Sequence, residues 1–340
     1  MGLRRIISLI PSVKRETLKL PQYTKNFGLG IALWRIYDTI WPRTQQYMDA
    51  VYSYIQKWCV ENLQSVLLQS DAITVTNEQE HYVWTCWWQG EENMPEVVNI
   101  CISQMRKMLP NSAKLQLITF QNHKQYVDIP EGVIQRYDDG LMSAAAFSDV
   151  LRYSLLNRYG GIWIDSTVFL SEKLPEEYFS MPLFTQKDYK NSRSSLEVAG
   201  GNWCNFVIGG YARNALFVFM ENALFNWWKE KDDVLDYILP DYLIKYAHDN
   251  FEDVRALIDQ VPINNAGIWN LYNKLNTEYS TQIWEKISRE SIFHKLTYKR
   301  EYQRYTPENK VSIYGYICEK YEAQTKGEAK GNEDSRICSC

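Results

Sequence analysis

The sequence has no C-x-x-C pair and no histidine at zinc-ligand spacing, and its seven cysteines are odd in number and scattered at Cys59, Cys86, Cys101, Cys204, Cys318, Cys338 and Cys340. That pattern excludes a disulfide-stapled scaffold and a zinc ribbon, and predicts reduced thiols in a reducing compartment. Long apolar runs are missing too. Ile6 to Ile10 follows Arg4 and Arg5, but Pro11, Lys14 and Arg15 end the run short of a signal-peptide core or a membrane span. Ile6 stands where a myristoylation site needs Ser or Thr. No fixed-period repeat is visible, which argues against a solenoid. The net charge of −4 lacks the basic excess that a general nucleic-acid binder needs to neutralise phosphates, so no nucleic-acid partner is expected. These absences together predict a cytoplasmic protein.

What is present is bulk and aromaticity. The 340 residues are 45% hydrophobic, and 24 Tyr, 12 Phe and 12 Trp need a core or a ligand to cover them. Such a chain suits one large α/β domain with extensions. Charge is uneven: residues 1–45 hold eight Lys or Arg against Glu16 and Asp38, a net of +6 that leaves −10 for the rest. Residues 1–75 read as a helical, basic and aromatic N-terminal extension containing Trp34, Trp41, Tyr47, Tyr54 and Trp58. Two readings compete there. Aromatic rings among basic residues suit a membrane surface, whereas helices without a clean apolar face suit an extension packed on the main domain. The second is preferred.

Residues 76–320 read as the main domain, and 321–340, rich in Gly, Lys, Glu and Asp, as a disordered tail. From about 80 to 170, strand and helix alternate as in a parallel sheet. His81 to Cys86 is a strand, Pro95 to Leu109 a helix with Val97, Val98, Cys101, Met105 and Met108 on its apolar side, and Lys114 to Phe120 a second strand. Gln125 to Ile129 is expected as a third. Leu141 to Tyr159 is a helix closed by Gly160, and Gly161 to Leu170 a buried strand interrupted by polar residues. Farther on, Asn205 to Ile208 reads as a strand, and Tyr211 to Lys229 and Tyr237 to Asn250 as helices.

The chemistry concentrates in Phe147-Ser-Asp-Val-Leu-Arg-Tyr-Ser-Leu-Leu-Asn-Arg-Tyr-Gly-Gly-Ile-Trp-Ile-Asp-Ser-Thr167. Asp149 and Arg152, three apart on a helix, share a face and can pair or grip a hydroxylated ligand. The glycines end that helix tightly, and the next strand delivers Asp165 to the sheet edge, where α/β folds bind ligands. Two carboxylates and a guanidinium then converge on an anionic or polyhydroxylated ligand, with a carboxylate to spare for a hard cation.

This succession resembles the core motif of sugar transferases with the GT-A fold. In the family 32 mannosyl- and galactosyltransferases and the large glucosylating toxins, a Ser-Asp-x-x-Arg helix runs into Gly-Gly-x-Tyr-x-Asp-x-Asp. Ser148, Asp149, Arg152, Gly160, Gly161 and Asp165 match, Trp163 takes the aromatic position, and Thr167 stands where the second Asp would be. The closer resemblance, over residues 80 to about 300, is to the capsular polysaccharide synthesis protein family. Val83-Trp-Thr-Cys-Trp-Trp-Gln-Gly90, Met94-Pro95, Gly-Gly-Ile-Trp-Ile-Asp-x-Thr and Phe293-His-Lys-Leu-Thr297 carry it.

The resemblance implies a GT-A-like (Rossmann-like) mixed sheet flanked by helices. It also implies transfer of a hexose, with retention, from a nucleotide sugar, a UDP-sugar in the first instance, to an oligosaccharide or lipid-linked saccharide in capsule or exopolysaccharide assembly. Asp149, Arg152 and Asp165 are then the catalytic candidates. Trp84, Cys86, Trp87, Gly90, Trp163, Asn205, His294 and Lys295 become candidates for holding the donor, His294 and Lys295 by closing over its diphosphate. Asn202, Gly209 and Gly210 fall near donor and acceptor, and Tyr242 and Lys245 are candidates for the acceptor cleft. Asp138 and Asp139 read as turn or helix-start residues. Mn²⁺ or Mg²⁺ would sit on Asp165 and Thr167, the latter a poor ligand for a hard cation. A lipid-linked acceptor would place the protein at the inner face of the plasma membrane. Two rivals remain: a saccharide-binding protein on a decayed transferase scaffold, and a glycosidase using Asp149 and Asp165. Against the glycosidase, Arg152 is expected to keep Asp149 ionised.

Overall fold

The computed structural model of the chain describes residues 3–63, 80–188 and 198–320. The expected tail and the expected boundary near residue 75 lie outside the described residues. The chain opens with α1 (Leu3–Leu18), α2 (Leu20–Phe27), α3 (Leu29–Ile40) and α4 (Gln45–Asn62). Gly28, at φ 81°, turns the chain between α2 and α3, and the Thr44 hydroxyl caps α4 by accepting from the Tyr47 amide.

Next come β1 (His81–Cys86), α5 (Glu96–Met108), β2 (Ala113–Ile118), α6 (Glu131–Asp138), α7 (Ala144–Tyr159), β3 (Gly161–Ile164), β4 (Val168–Leu170) and β5 (Leu183–Thr185). The described chain continues through β6 (Val207–Gly210), α8 (Ala215–Glu230), α9 (Leu239–Asn250), α10 (Glu252–Asp259), α11 (Asn270–Lys274), α12 (Thr281–Glu290) and β7 (Phe293–Lys295). A five-stranded sheet runs β2-β1-β3-β6-β5, with β1 parallel to both β2 and β3 and the β6 pairings antiparallel. β4 and β7 form a separate antiparallel pair. The result is a mixed α/β architecture compatible with a GT-A-like fold.

Two sequence expectations change. Gln125 to Ile129 is not a strand: His123–Gln125 is a single 3₁₀ turn, and the Tyr126 and Val127 amides bond back to the His123 carbonyl. Backbone groups paired locally have nothing left for a ladder. The expected single strand from Gly161 to Leu170 is two, because Val168 N–H closes a turn onto the Asp165 carbonyl at 2.9 Å. That turn carries the chain from the large sheet to the small one, and its polar residues are the ones that interrupt the apolar run.

Glycine is required where β3 enters the sheet. A Cβ on Gly161, whose φ is +86°, would lie 2.3 Å from the Tyr82 carbonyl oxygen, and one on Gly209 would lie 2.5 Å from the Gly161 carbonyl. Side chains at either position would push β1, β3 and β6 apart.

The N-terminal helices cover one side of the main domain. Phe27 stacks on Trp227 at 5.9 Å, Trp58 meets Trp227 edge-on at 4.9 Å, and the Trp58 indole donates to Glu230 at 3.1 Å. Tyr47 and Trp58 are thereby buried with α8 and α9 in one hydrophobic cluster. Leu29, Leu33, Tyr37 and Trp41 stay exposed. Among the described residues no helix is long and apolar enough to cross a membrane.

Candidate functional site

Helix α7 starts at the Ser143 cap, which accepts from the Ala146 amide, and stops at Gly160 with φ 65°. It lies on one face of the sheet, and strand alternation sends Trp84 and Cys86 of β1, and Trp163 with Asp165 beyond β3, toward that face. The meeting point is the gap between the C-terminal ends of the parallel strands β1 and β3. Connections leave those two strands in different directions, the position at which α/β sheets take ligands.

Arg152 is 4% exposed and joins the two carboxylates. Its Nη1 donates to Asp149 at 2.6 Å and its Nη2 to Asp165 at 3.2 Å. Asp165 also accepts from the Trp163 indole at 2.8 Å and, through its second oxygen, from Lys295 Nζ at 2.6 Å. Lys295 Nζ donates further to the Thr167 hydroxyl at 2.9 Å. The Arg152 guanidinium lies 5.0 Å from the Trp163 ring centre, a cation–π contact that fixes its plane.

The two carboxylates respond differently to the same burial. Burial pushes Asp149 up to about 6, more than the Arg152 guanidinium pulls it down, so the carboxyl stays mainly ionised at neutral pH and takes a proton on mild acidification. At Asp165 burial acts in the same sense, but Lys295 and Arg152 together overcome it and hold the carboxyl below its usual range. Burial, with the Asp165 charge beside it, pushes the Cys86 thiol up to about 12, so Cys86 is a neutral lining group and not a nucleophile.

Several expected donor-site residues fall elsewhere. Trp84 is fully buried, its indole donating to the Gly160 carbonyl at 2.9 Å, and has no free face for a nucleobase. His294 and Lys295 are split by strand alternation. His294 is 0% exposed, its Nε2 is 3.1 Å from Ser171 Oγ, and burial lowers its pKa to about 4, so it brings no charge to a diphosphate. Trp87 turns to the opposite side of the sheet, donating to the Asn93 carbonyl and meeting Tyr298 edge-on at 5.3 Å. Tyr242 is buried, and Lys245 pairs with Asp249 at 2.9 Å with its ammonium 4.8 Å from the Tyr52 ring centre. Both therefore serve the contact with the N-terminal helices and not an acceptor cleft. Asn205 stays near the centre, accepting from the Tyr153 hydroxyl, and its buried Nδ2 has no partner. Asn202 sits in a turn onto Ala199, and Gly209 and Gly210 are strand residues of β6.

Beside the β1 end lies a cleft of about 650 Å³ lined by Trp88, Gly90, Phe120, Tyr137 and Asp138, among others. Of these only Gly90 is among the expected donor contacts, and Asp138, read as a turn residue, ends α6 at its wall. Trp88, Phe120 and Tyr137 were missed because lone aromatics are indistinguishable from core in sequence. Tyr237 was missed for the same reason. It is 74% exposed and lies within electrostatic reach of the Asp149 and Asp165 carboxylates.

The divalent cation implied by the motif does not fit the pair it was assigned to. Asp165 and Thr167 both point at one Lys295 ammonium, and the second carboxylate is absent. Among the described residues no three His, Cys, Asp or Glu side chains group as a metal site.

No curated protein and no solved structure matches the chain. The profile of the capsular polysaccharide synthesis proteins matches residues 38–317. That span takes in β1, the α7 to β3 succession and β7, and with them all four charged groups at the β3 edge. On this match the chain belongs to the capsular polysaccharide synthesis protein family.

Proposed function

We propose that the protein is a nucleotide-sugar-dependent glycosyltransferase that moves a hexose to a saccharide acceptor in capsule assembly, with retention. The observation that supports this most is the convergence of Asp149, Arg152, Asp165 and Lys295 at the β1–β3 gap, with an aromatic cleft lined by the residues that follow β1. Phe120, 55% exposed at the wall of the cleft, offers a face for a nucleobase, with Tyr137 beside it. The donor diphosphate then extends toward Lys295, and the sugar hydroxyls toward Asp149 and Arg152. In the reaction the bond from the anomeric carbon to the phosphate oxygen breaks as the acceptor oxygen bonds to the same face of that carbon. The departing phosphate oxygen takes the acceptor proton. Positioning and charge stabilisation supply the rate, and no protein base is required. The glycosidase alternative gains an acid from the raised Asp149, but the Arg152 guanidinium fills the space between the carboxylates where a sugar would have to lie.

Release of free nucleotide from a panel of UDP-, GDP- and CMP-sugars tests the reading. Slow turnover of one donor that disappears in Asp165→Ala supports it. Absence of both turnover and donor binding overturns it and leaves the saccharide-binding scaffold.

For a lipid-linked acceptor the N-terminal layer has a use. Leu29, Leu33, Tyr37 and Trp41 follow at every fourth position and remain 56%, 51%, 38% and 44% exposed on the side away from the domain. Lys14, Arg15 and Lys19 belong to the same basic segment. This stripe rests on an anionic bilayer, aromatic and apolar groups at the headgroup level. Flotation with anionic and with neutral liposomes should show anionic binding that is lost when Leu29, Leu33 and Trp41 are changed to Ser. Equal behaviour of both proteins rejects it.

A further inference from the structure

The position between Asp165 and Thr167 is held by a side chain of the protein itself. Lys295 comes from β7, whose register sets Lys295 opposite Val168 of β4, one residue past Thr167. Its amide donates to the Ile268 carbonyl at 3.0 Å, and the neighbouring Leu296 amide donates to the Thr167 carbonyl at 2.9 Å. The strand is thus tied on one side to the turn that presents Asp165 and on the other to Ile268. The ammonium lies 5.1 Å from the Phe206 ring centre, 2.6 Å from Asp165 Oδ2 and 2.9 Å from Thr167 Oγ1.

An ammonium has three N–H donors. Two go to Asp165 and Thr167, and one remains for an oxygen from outside. Arg152, also buried, has its Nε without a partner. The four charged groups, Asp149, Asp165, Arg152 and Lys295, sum to zero, whereas a two-carboxylate motif without the lysine carries a net negative charge that attracts a divalent cation. A cation arriving here would have to displace Lys295 and share a neutral cluster with Arg152. An anion would meet the remaining Lys295 N–H already in place.

We infer that Lys295 is a tethered cation that takes the place of the divalent metal, pairing with the leaving diphosphate and making donor binding and turnover independent of Mn²⁺ and Mg²⁺. The inference rests on the transferase reading and sharpens it. It also gives Thr167 a reason: a hydroxyl accepts one N–H from an ammonium without adding the charge that a second Asp would bring. Asp165 then orients the lysine instead of ligating a metal, and the bond breaking at the anomeric carbon leaves its electron pair on a phosphate oxygen facing Lys295.

The test is calorimetric binding of UDP, GDP and CDP, and of the matching nucleosides, to the full chain with EDTA or with Mn²⁺. Wild type, Lys295→Met and Lys295→Arg are compared, with circular dichroism melting as a check of folding. The wild-type affinity for the preferred diphosphate should be the same in EDTA and in Mn²⁺. Lys295→Met should weaken the diphosphate roughly ten- to a hundredfold in EDTA while leaving the nucleoside unchanged, the range expected for one charged hydrogen bond. Mn²⁺ should recover part of that loss in Lys295→Met only, and Lys295→Arg should retain most of the affinity. A wild type that loses the diphosphate in EDTA and regains it with Mn²⁺ overturns the inference and leaves the transferase reading standing. So does a Lys295→Met protein that binds as wild type does in EDTA. If Lys295→Met does not fold, the wild-type EDTA comparison alone decides. Failure of every nucleotide to bind wild type in both conditions overturns the transferase reading and this inference with it.

Discussion

Asp236 and Asp165 are both aspartates met by an arginine from another element, yet their surroundings give them opposite work. Asp236 lies between the N-terminal helices and α9 and is 4% exposed. It accepts two bonds from Arg43, at 3.1 and 3.0 Å, one from the Tyr47 hydroxyl at 2.8 Å and one from the Ile238 amide at 3.0 Å. Both carboxylate oxygens are filled by the protein, so the cluster is a clamp. Asp165 is also well partnered, but its side chain is 26% exposed and its part-exposed partner Lys295 still has an N–H to offer. A carboxylate–cation cluster becomes a binding site when its cations are left incomplete beside a cleft.

The sharpest way to break this comparison is to remove each aspartate. Asp236→Ala should cost about 1–3 kcal/mol of stability by leaving the buried Tyr47 hydroxyl and the part-exposed Arg43 guanidinium without their acceptor, measured by urea unfolding, and should spare the turnover of the fraction that remains folded. Asp165→Ala should instead cut kcat on the order of 10²- to 10³-fold in the protein that stays folded, beyond any stability lost by leaving Arg152 and Lys295 with fewer partners. If the two variants behaved alike, the distinction would collapse. A smaller effect separates Asp149 from Asp165. Since burial raises Asp149 to about 6, kcat/KM should decline as pH falls through that value, because the protonated acid no longer balances Arg152. Asp149→Asn should flatten this acidic limb at a reduced rate. Stability runs the other way: a folded pKa above the unfolded one makes ionised Asp149 a cost above that pH, relieved on acidification. Asp165, held low, contributes stability above the ordinary carboxylate pKa and loses it only on stronger acidification. Smallest is Phe120→Ala, which should raise the donor KM about tenfold through lost stacking, with kcat and unfolding unchanged.

The α7 helix, its glycine stop and the Asp165 delivery were legible because they are local: a 3.6-residue period, a residue that permits positive φ, and a strand of fixed alternation. The helices before and after the motif were equally clear for this reason. The Gln125 to Ile129 strand was misread because a short apolar alternation does not say where its backbone hydrogen bonds go. Trp84 and Trp88 are four residues apart in one aromatic stretch and both are buried, and nothing in their identity tells which has an edge at a cleft wall. The packing around Gly160 buries the first, and the α6–α7 connection opens a cleft beside the second.

The chain's own order determined the family, the α/β class and the trio Asp149, Arg152 and Asp165, since these lie within seventeen residues joined by one helix, one turn and one strand. What the Lys295 ammonium does was decided only by folding. It arrives from 130 residues downstream on a strand whose register alone sets it at Asp165 and turns the adjacent His294 into the core. A two-residue period makes neighbours face opposite ways, so the choice between His294 and Lys295 depended on which strand β7 pairs with and in which register. That is a property of the tertiary contact, and no local pattern carries it.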